Sequence, residues 1–95
     1  MISFTVRMKF DDKDRATIED ILRKLTAASR LEPGCVTYIA HFVEGEPATV
    51  LIYEQYKNEA ALEAHRNSTH FKEYATGGLY QLMKDRSREG LHAVE

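Results

Sequence analysis

The chain contains a single cysteine, Cys35, so no internal disulfide can form, and a reducing cytoplasmic setting is the expectation. Cys35 enters an apolar run, where a thiol is buried and inert. Long hydrophobic runs are missing as well. Nothing approaches the ~20 residues needed to cross a bilayer, and Met1-Ile2-Ser3-Phe4 lacks the basic region and apolar core of a secretory leader. Nor is there an excess of one charge. Thirteen basic residues against fifteen acidic ones leave −2, with no clustered Lys/Arg face of the kind a nucleic-acid binder presents. The nearest candidate, Lys84-Asp85-Arg86-Ser87-Arg88-Glu89, is interrupted by acids and reads as a solvated turn. No glycine-rich phosphate loop or nucleophile elbow occurs. His65 and His70 stand five apart across a helix break, and no His/Cys/carboxylate triplet has ligand spacing, so no metal site is expected.

What remains is one soluble domain spanning all 95 residues, 43% hydrophobic and 29% charged. A chain of this size buries only about 60–65% of its unfolded surface, which favours association with a second copy.

From Ile2 to Phe10 the even positions are apolar (Ile2, Phe4, Val6, Met8, Phe10), and Ser3, Thr5, Arg7 and Lys9 alternate with them. A period of two predicts a strand with two chemically different faces. Asp11-Asp12-Lys13-Asp14 supplies N-caps, and Ile18, Ile21, Leu22, Leu25 and Ala28 then form one helical stripe. The helix is expected from about Asp12 to Ser29, stopped by Glu32-Pro33-Gly34. Cys35–Val43 and Ala48–Tyr56 are rich in β-branched and aromatic residues and flank Glu44-Gly45-Glu46-Pro47, a hairpin signature. Asn58 caps a helix bearing Leu62 and His65 on one side. Ser68 caps another that carries Phe71, Tyr74 and Ala75, and Gly77-Gly78 loosens or ends it. A weak final strand is expected over Glu89–Val94. The order β-α-β-β-α-β is the ferredoxin-like α+β arrangement, a four-stranded antiparallel sheet with helices on one face. Apolar residues fall on both faces of the middle strands, so the other sheet face calls for a cover, and a second subunit supplies one.

Glu32-Pro33-Gly34-Cys35, Tyr38, Tyr53-Glu54, Ala60-Ala61-Leu62, Ala64-His65 and Ser68-Thr69-His70-Phe71 together resemble the antibiotic biosynthesis monooxygenase family, of the dimeric α/β-barrel superfamily. The resemblance covers nearly the whole chain. It implies a homodimer pairing sheet to sheet, with one pocket per subunit. It also implies oxidation of a quinol-like or polyketide-type aromatic by molecular oxygen without a cofactor. Other relatives degrade haem or isomerise a small phosphorylated sugar. Relatives often carry tryptophan where this chain has Tyr56, and the chain has no tryptophan at all, which argues against the haem-degrading branch.

Within this frame His65, inward-facing, and Glu54, an acid ending an apolar strand, are the candidate proton-transfer residues. Each has a bland alternative: a core histidine anchoring helix to sheet, and an ion pair from Glu54 to Arg7 or Lys9 across the dimer. Tyr38, His70, Phe71 and Tyr74 are the candidate substrate-binding residues; His70 also has a structural reading and the two rings a core one. An isomerase of a small phosphorylated carbonyl compound would need Arg7 and Lys9 turned inward. A third reading is a dimer that binds a ligand without turning it over.

Overall fold

The computed structural model describes residues 1–95. Its four-stranded antiparallel sheet has the order β2-β3-β1-β4, with β1 over Ile2–Lys9, β2 over Cys35–Phe42, β3 over Thr49–Tyr56 and β4 over Asp85–Leu91. The alternation in β1 puts Phe4, Val6 and Met8 into the core. The same face of β3 contributes Val50, Ile52, Glu54 and Tyr56. This is the ferredoxin-like α+β fold, and within one chain the sheet does not close.

The first helix begins with a 3-10 turn, Asp12–Asp14, whose cap Asp11 accepts a hydrogen bond from the Lys13 amide at 3.1 Å. α1 proper runs over Arg15–Arg30 and buries Ile18, Leu22 and Leu25 against the sheet. α2 (Glu59–Arg66) is capped by Asn58, whose Oδ1 accepts from the Ala61 amide at 2.9 Å. α3 is wound wide as a π-helix over Phe71–Leu79 and continues through Tyr80–Leu82. Gly77-Gly78 therefore does not end the segment. Gly78 faces Ile21 of α1, where a Cβ would meet two of its atoms at 3.4 Å, an ordinary contact.

Two expectations need correction. The stretch expected as a solvated turn is strand: β4 pairs with β1 from Asp85, opposite Lys9, to Leu91, opposite Ser3. The last strand thus starts four residues earlier than the weak apolar pattern of Glu89–Val94 indicated and ends three earlier. Its polar side chains hid it, because β4 is an edge strand whose residues are all exposed.

On the face away from the helices, Ile39, Leu51 and Tyr53 are flanked by Thr5, Arg7 and His41. A polar chain crosses this face, from Thr37 Oγ1 to Gln55 Oε1 at 3.0 Å and from Gln55 Nε2 to Ser3 Oγ at 3.0 Å. The surface is mixed, less apolar than the sequence pattern implied. A shift in register between Cys35 and Thr37 leaves Val36 exposed instead of continuing either face.

Gly34 fixes how the α1–β2 turn meets α2. Its carbonyl accepts from the Lys57 amide at 2.9 Å, and a Cβ built there would lie 2.3 Å from Ala61 Cβ. No rotamer change relieves that clash. Gly34→Ala is expected to cost about 1–3 kcal/mol, the range for overpacking a close contact, and to lower Tm in a calorimetric scan. An unchanged Tm would mean the turn does not press on α2.

Candidate active site

The hairpin register sets the site. Tyr38 on β2 lies directly opposite Glu54 on β3, which in turn lies opposite Phe4 on β1, so all three side chains project toward the helices. Above them α2 presents His65, which is only 3% exposed. Its ring centroid is 5.0 Å from that of Tyr56, 5.2 Å from Phe71 and 5.9 Å from Tyr38. Phe4, Tyr38, Glu54, His65 and Phe71 border a small cavity of about 80 Å³ between sheet and helices, walled also by Val6, Met8, Ile52, Leu62, Ala75 and Leu79. Arg86 and Arg88 of β4 and Tyr80 of α3 complete it.

Glu54 is a carboxyl in a nearly dry place. Tyr56 donates its hydroxyl proton to Glu54 Oε1 at 2.7 Å. Burial outweighs that hydrogen bond and the nearby Arg86 and Arg88 charges, and pushes the Glu54 pKa up to about 7. Burial likewise raises the Tyr38 and Tyr56 hydroxyls, with Glu54 adding to both, so neither phenol ionises at neutral pH. The His65 imidazole is pushed below its ordinary value by burial, against the opposing pull of Glu32. A neutral imidazole therefore faces a carboxyl poised to take up or release a proton near neutrality.

His65 is held from behind. Its Nδ1 lies 2.8 Å from Glu32 Oε2, and its Nε2 points at Glu54 Oε1, 3.7 Å away. His70 Nε2 bonds the same Glu32 oxygen from the other side. The Ser68 hydroxyl closes the corner between α2 and α3, donating to the His65 carbonyl at 2.6 Å and accepting from the Phe71 amide at 3.1 Å.

Of the residues singled out in the sequence, Tyr38, Glu54, His65 and Phe71 border the cavity. His70 and Tyr74 do not; His70 sits on Glu32, and Tyr74 packs partly buried against the core. The bland reading of Glu54 as an ion pair with Arg7 or Lys9 fails, because both are on the opposite sheet face; the nearby cations are Arg86 and Arg88. The expectation that no His/carboxylate triplet exists also needs correction. Glu32, His65 and His70 bring their ligand atoms within 4.8 Å of one another. Glu32 escaped notice because it is 33 residues from His65 in sequence and looked like part of a helix stop.

The model of the family described as antibiotic biosynthesis monooxygenase matches residues 1–77. The chain belongs to that family. A crystal structure described as an antibiotic biosynthesis monooxygenase superposes with a TM-score of 0.92 at 20% identity, covering 100% of both chains. PA3566 from Pseudomonas aeruginosa superposes at 0.89 with 26% identity, over 99% of this chain and 94% of its own. An uncharacterized Synechocystis protein, sll1783, is 28% identical over 74 residues, which is 78% of this chain. The chain spans about half (49%) of that curated relative. The fold is that of solved structures described as antibiotic biosynthesis monooxygenases. No helix is long and apolar enough to cross a membrane.

The raised pKa of Glu54 has a thermodynamic consequence. The folded state binds its proton more tightly than the unfolded chain does, so the stabilisation is complete below about pH 4.5 and is lost as pH rises through about 7. The loss by pH 8 amounts to at most roughly 3 kcal/mol. Urea unfolding from pH 5 to pH 8 is expected to show this decline, and Glu54→Gln to flatten it. A slope of the same size in both proteins would assign the effect elsewhere.

Proposed function

We propose that this protein is a cofactor-independent monooxygenase acting on a small electron-rich phenol or hydroquinone. The observation that carries this reading is Glu54, a carboxyl with a pKa of about 7 in an apolar cavity, within reach of His65 and oriented by Tyr56. Such a group serves as a general base at neutral pH. Glu54 takes the phenolic proton. The phenolate, surrounded by apolar walls, is a strong one-electron donor and reduces dioxygen directly. The caged radical pair combines at a ring carbon to give a peroxide. Loss of that carbon's hydrogen and cleavage of the O–O bond leave a quinone carbonyl and one water, so a phenol plus O2 becomes a quinone plus H2O. The apolar walls exclude bulk water from the intermediate.

The size of the cavity bears on the substrate. An apolar cavity of roughly 150 Å³ accepts benzene, and this one is about 80 Å³. Dioxygen fits as it stands. A ring enters only if an outer wall moves, and the exposed lining residues are Arg66 of α2 and Arg86 and Arg88 of β4, the last two stacked over Tyr80 and Phe4 with 5.7 and 4.1 Å from guanidinium carbon to ring centroid. A single aromatic ring is therefore favoured over a fused polyketide. Arg7 and Lys9, which the isomerase alternative needs at the substrate, face away from this cavity.

We also propose a homodimer formed through the open sheet face, where Ile39, Leu51 and Tyr53 would be covered. Members of the family commonly form dimers.

Oxygen consumption in chelator-treated buffer tests the chemistry. Mono- and dihydroxybenzenes are expected to support uptake, with a matching quinone absorbance, and Glu54→Gln to reduce kcat by at least about 100-fold. The absence of uptake with every electron-rich phenol tried would sink the reading. Sedimentation should give twice the chain mass, and Tyr53→Arg should return it to the single-chain value.

A further inference from the structure

We propose that Glu32, His65 and His70 form a binding site for one divalent transition cation of the zinc class. Two imidazole nitrogens, His65 Nδ1 and His70 Nε2, converge on the carboxylate of Glu32, and the three ligand atoms lie within 4.8 Å of one another. Metal–nitrogen bonds of about 2.0–2.1 Å place tetrahedral ligands about 3.3 Å apart, so small side-chain rotations complete the geometry. Glu32 and His70 are 15% and 21% exposed, and that opening gives an ion a way in. Two imidazoles and one carboxylate, with no cluster of carbonyl or carboxylate oxygens, select zinc-like ions over magnesium or calcium.

Two further observations support the site. Glu32 Oε1 is buried with no hydrogen-bond partner, an orphan acceptor beside the three converging ligands that a cation would satisfy. His65 also has the environment of a metal-bound histidine, because its other nitrogen faces a carboxylate, Glu54, at 3.7 Å. Ligating histidines characteristically donate their second N–H to such a group. A ligating ring nitrogen carries no proton, so on binding each imidazole holds its N–H on the nitrogen turned away from the ion. For His65 this directs Nε2–H toward Glu54. The fourth coordination position is left for water. An ion here would pin the α1–β2 turn to the α2–α3 corner, immediately behind the cavity. It requires nothing of the oxygenation chemistry, and its test needs no turnover.

The experiment uses untagged, chelator-stripped protein titrated with Co²⁺ and then Zn²⁺. One Co²⁺ per chain is expected, with the intense visible absorption of a four-coordinate nitrogen/oxygen site, lost on adding Zn²⁺; Zn²⁺ should also raise Tm. His70→Gln and Glu32→Gln should each weaken binding by more than the roughly 10–100-fold typical of losing an outer-shell partner, and Glu54→Gln by an amount within that range. His41→Gln and His92→Gln should leave it unchanged. Circular dichroism establishes that each variant is folded, and His70→Gln decides the matter if Glu32→Gln is not. Absence of saturable binding below about millimolar metal, unchanged affinity in folded His70→Gln, or loss on replacing His41 or His92 overturns the site.

Discussion

His65 is bonded on one side of its ring and faces the cavity carboxyl on the other. Behind it, Nδ1 bonds Glu32 at 2.8 Å; in front, Nε2 looks into the cavity at Glu54. Glu32 belongs to the turn after α1, His65 to α2 and Glu54 to β3, so one imidazole ties together three parts of the chain that are remote in sequence. The arrangement requires the turn to come very close to α2, and Gly34 makes that approach possible because any larger residue would collide with Ala61. Placement of the imidazole therefore depends on a residue with no side chain.

Burial then gives these groups their chemistry. In water, a carboxyl and an imidazole titrate roughly two units apart, with the acid ionised first. In the cavity the carboxyl of Glu54 is pushed up and the imidazole of His65 pushed down, so the usual order narrows or inverts. Tyr56 moderates the effect on Glu54 through its 2.7 Å hydrogen bond, at the cost of having its own hydroxyl locked in the protonated form. The position where relatives often carry an indole here holds a phenol that addresses the carboxyl directly.

Much of the fold was legible in the sequence because its signals are local. The alternation of β1, the Asn58 cap of α2 and the Glu44–Pro47 hairpin each declare themselves within ten residues. The facing of Tyr38 and Glu54 depends on the hairpin register, which a slip of one residue would undo and which the structure fixes. β4 was misread because an edge strand has little to bury, so Arg86 and Arg88, which sit on its cavity-facing side, looked like part of a turn. Glu32 was invisible for a different reason. Its partners are 33 and 38 residues away, and no periodicity links a turn residue to a distant helix. The π-winding of α3 also left no mark beyond its glycines.

The wall of the cavity that carries Arg86 and Arg88 belongs to an edge strand of the sheet, bonded to a neighbour on one side only. Edge strands of this kind open locally at far lower free energy than the global unfolding of the domain. The floor and roof around Glu54 and His65 are anchored in the centre of the fold, whereas this side wall pairs with β1 alone. If a ring is to enter as proposed above, displacing this C-terminal ribbon would leave the pairing of the other three strands intact.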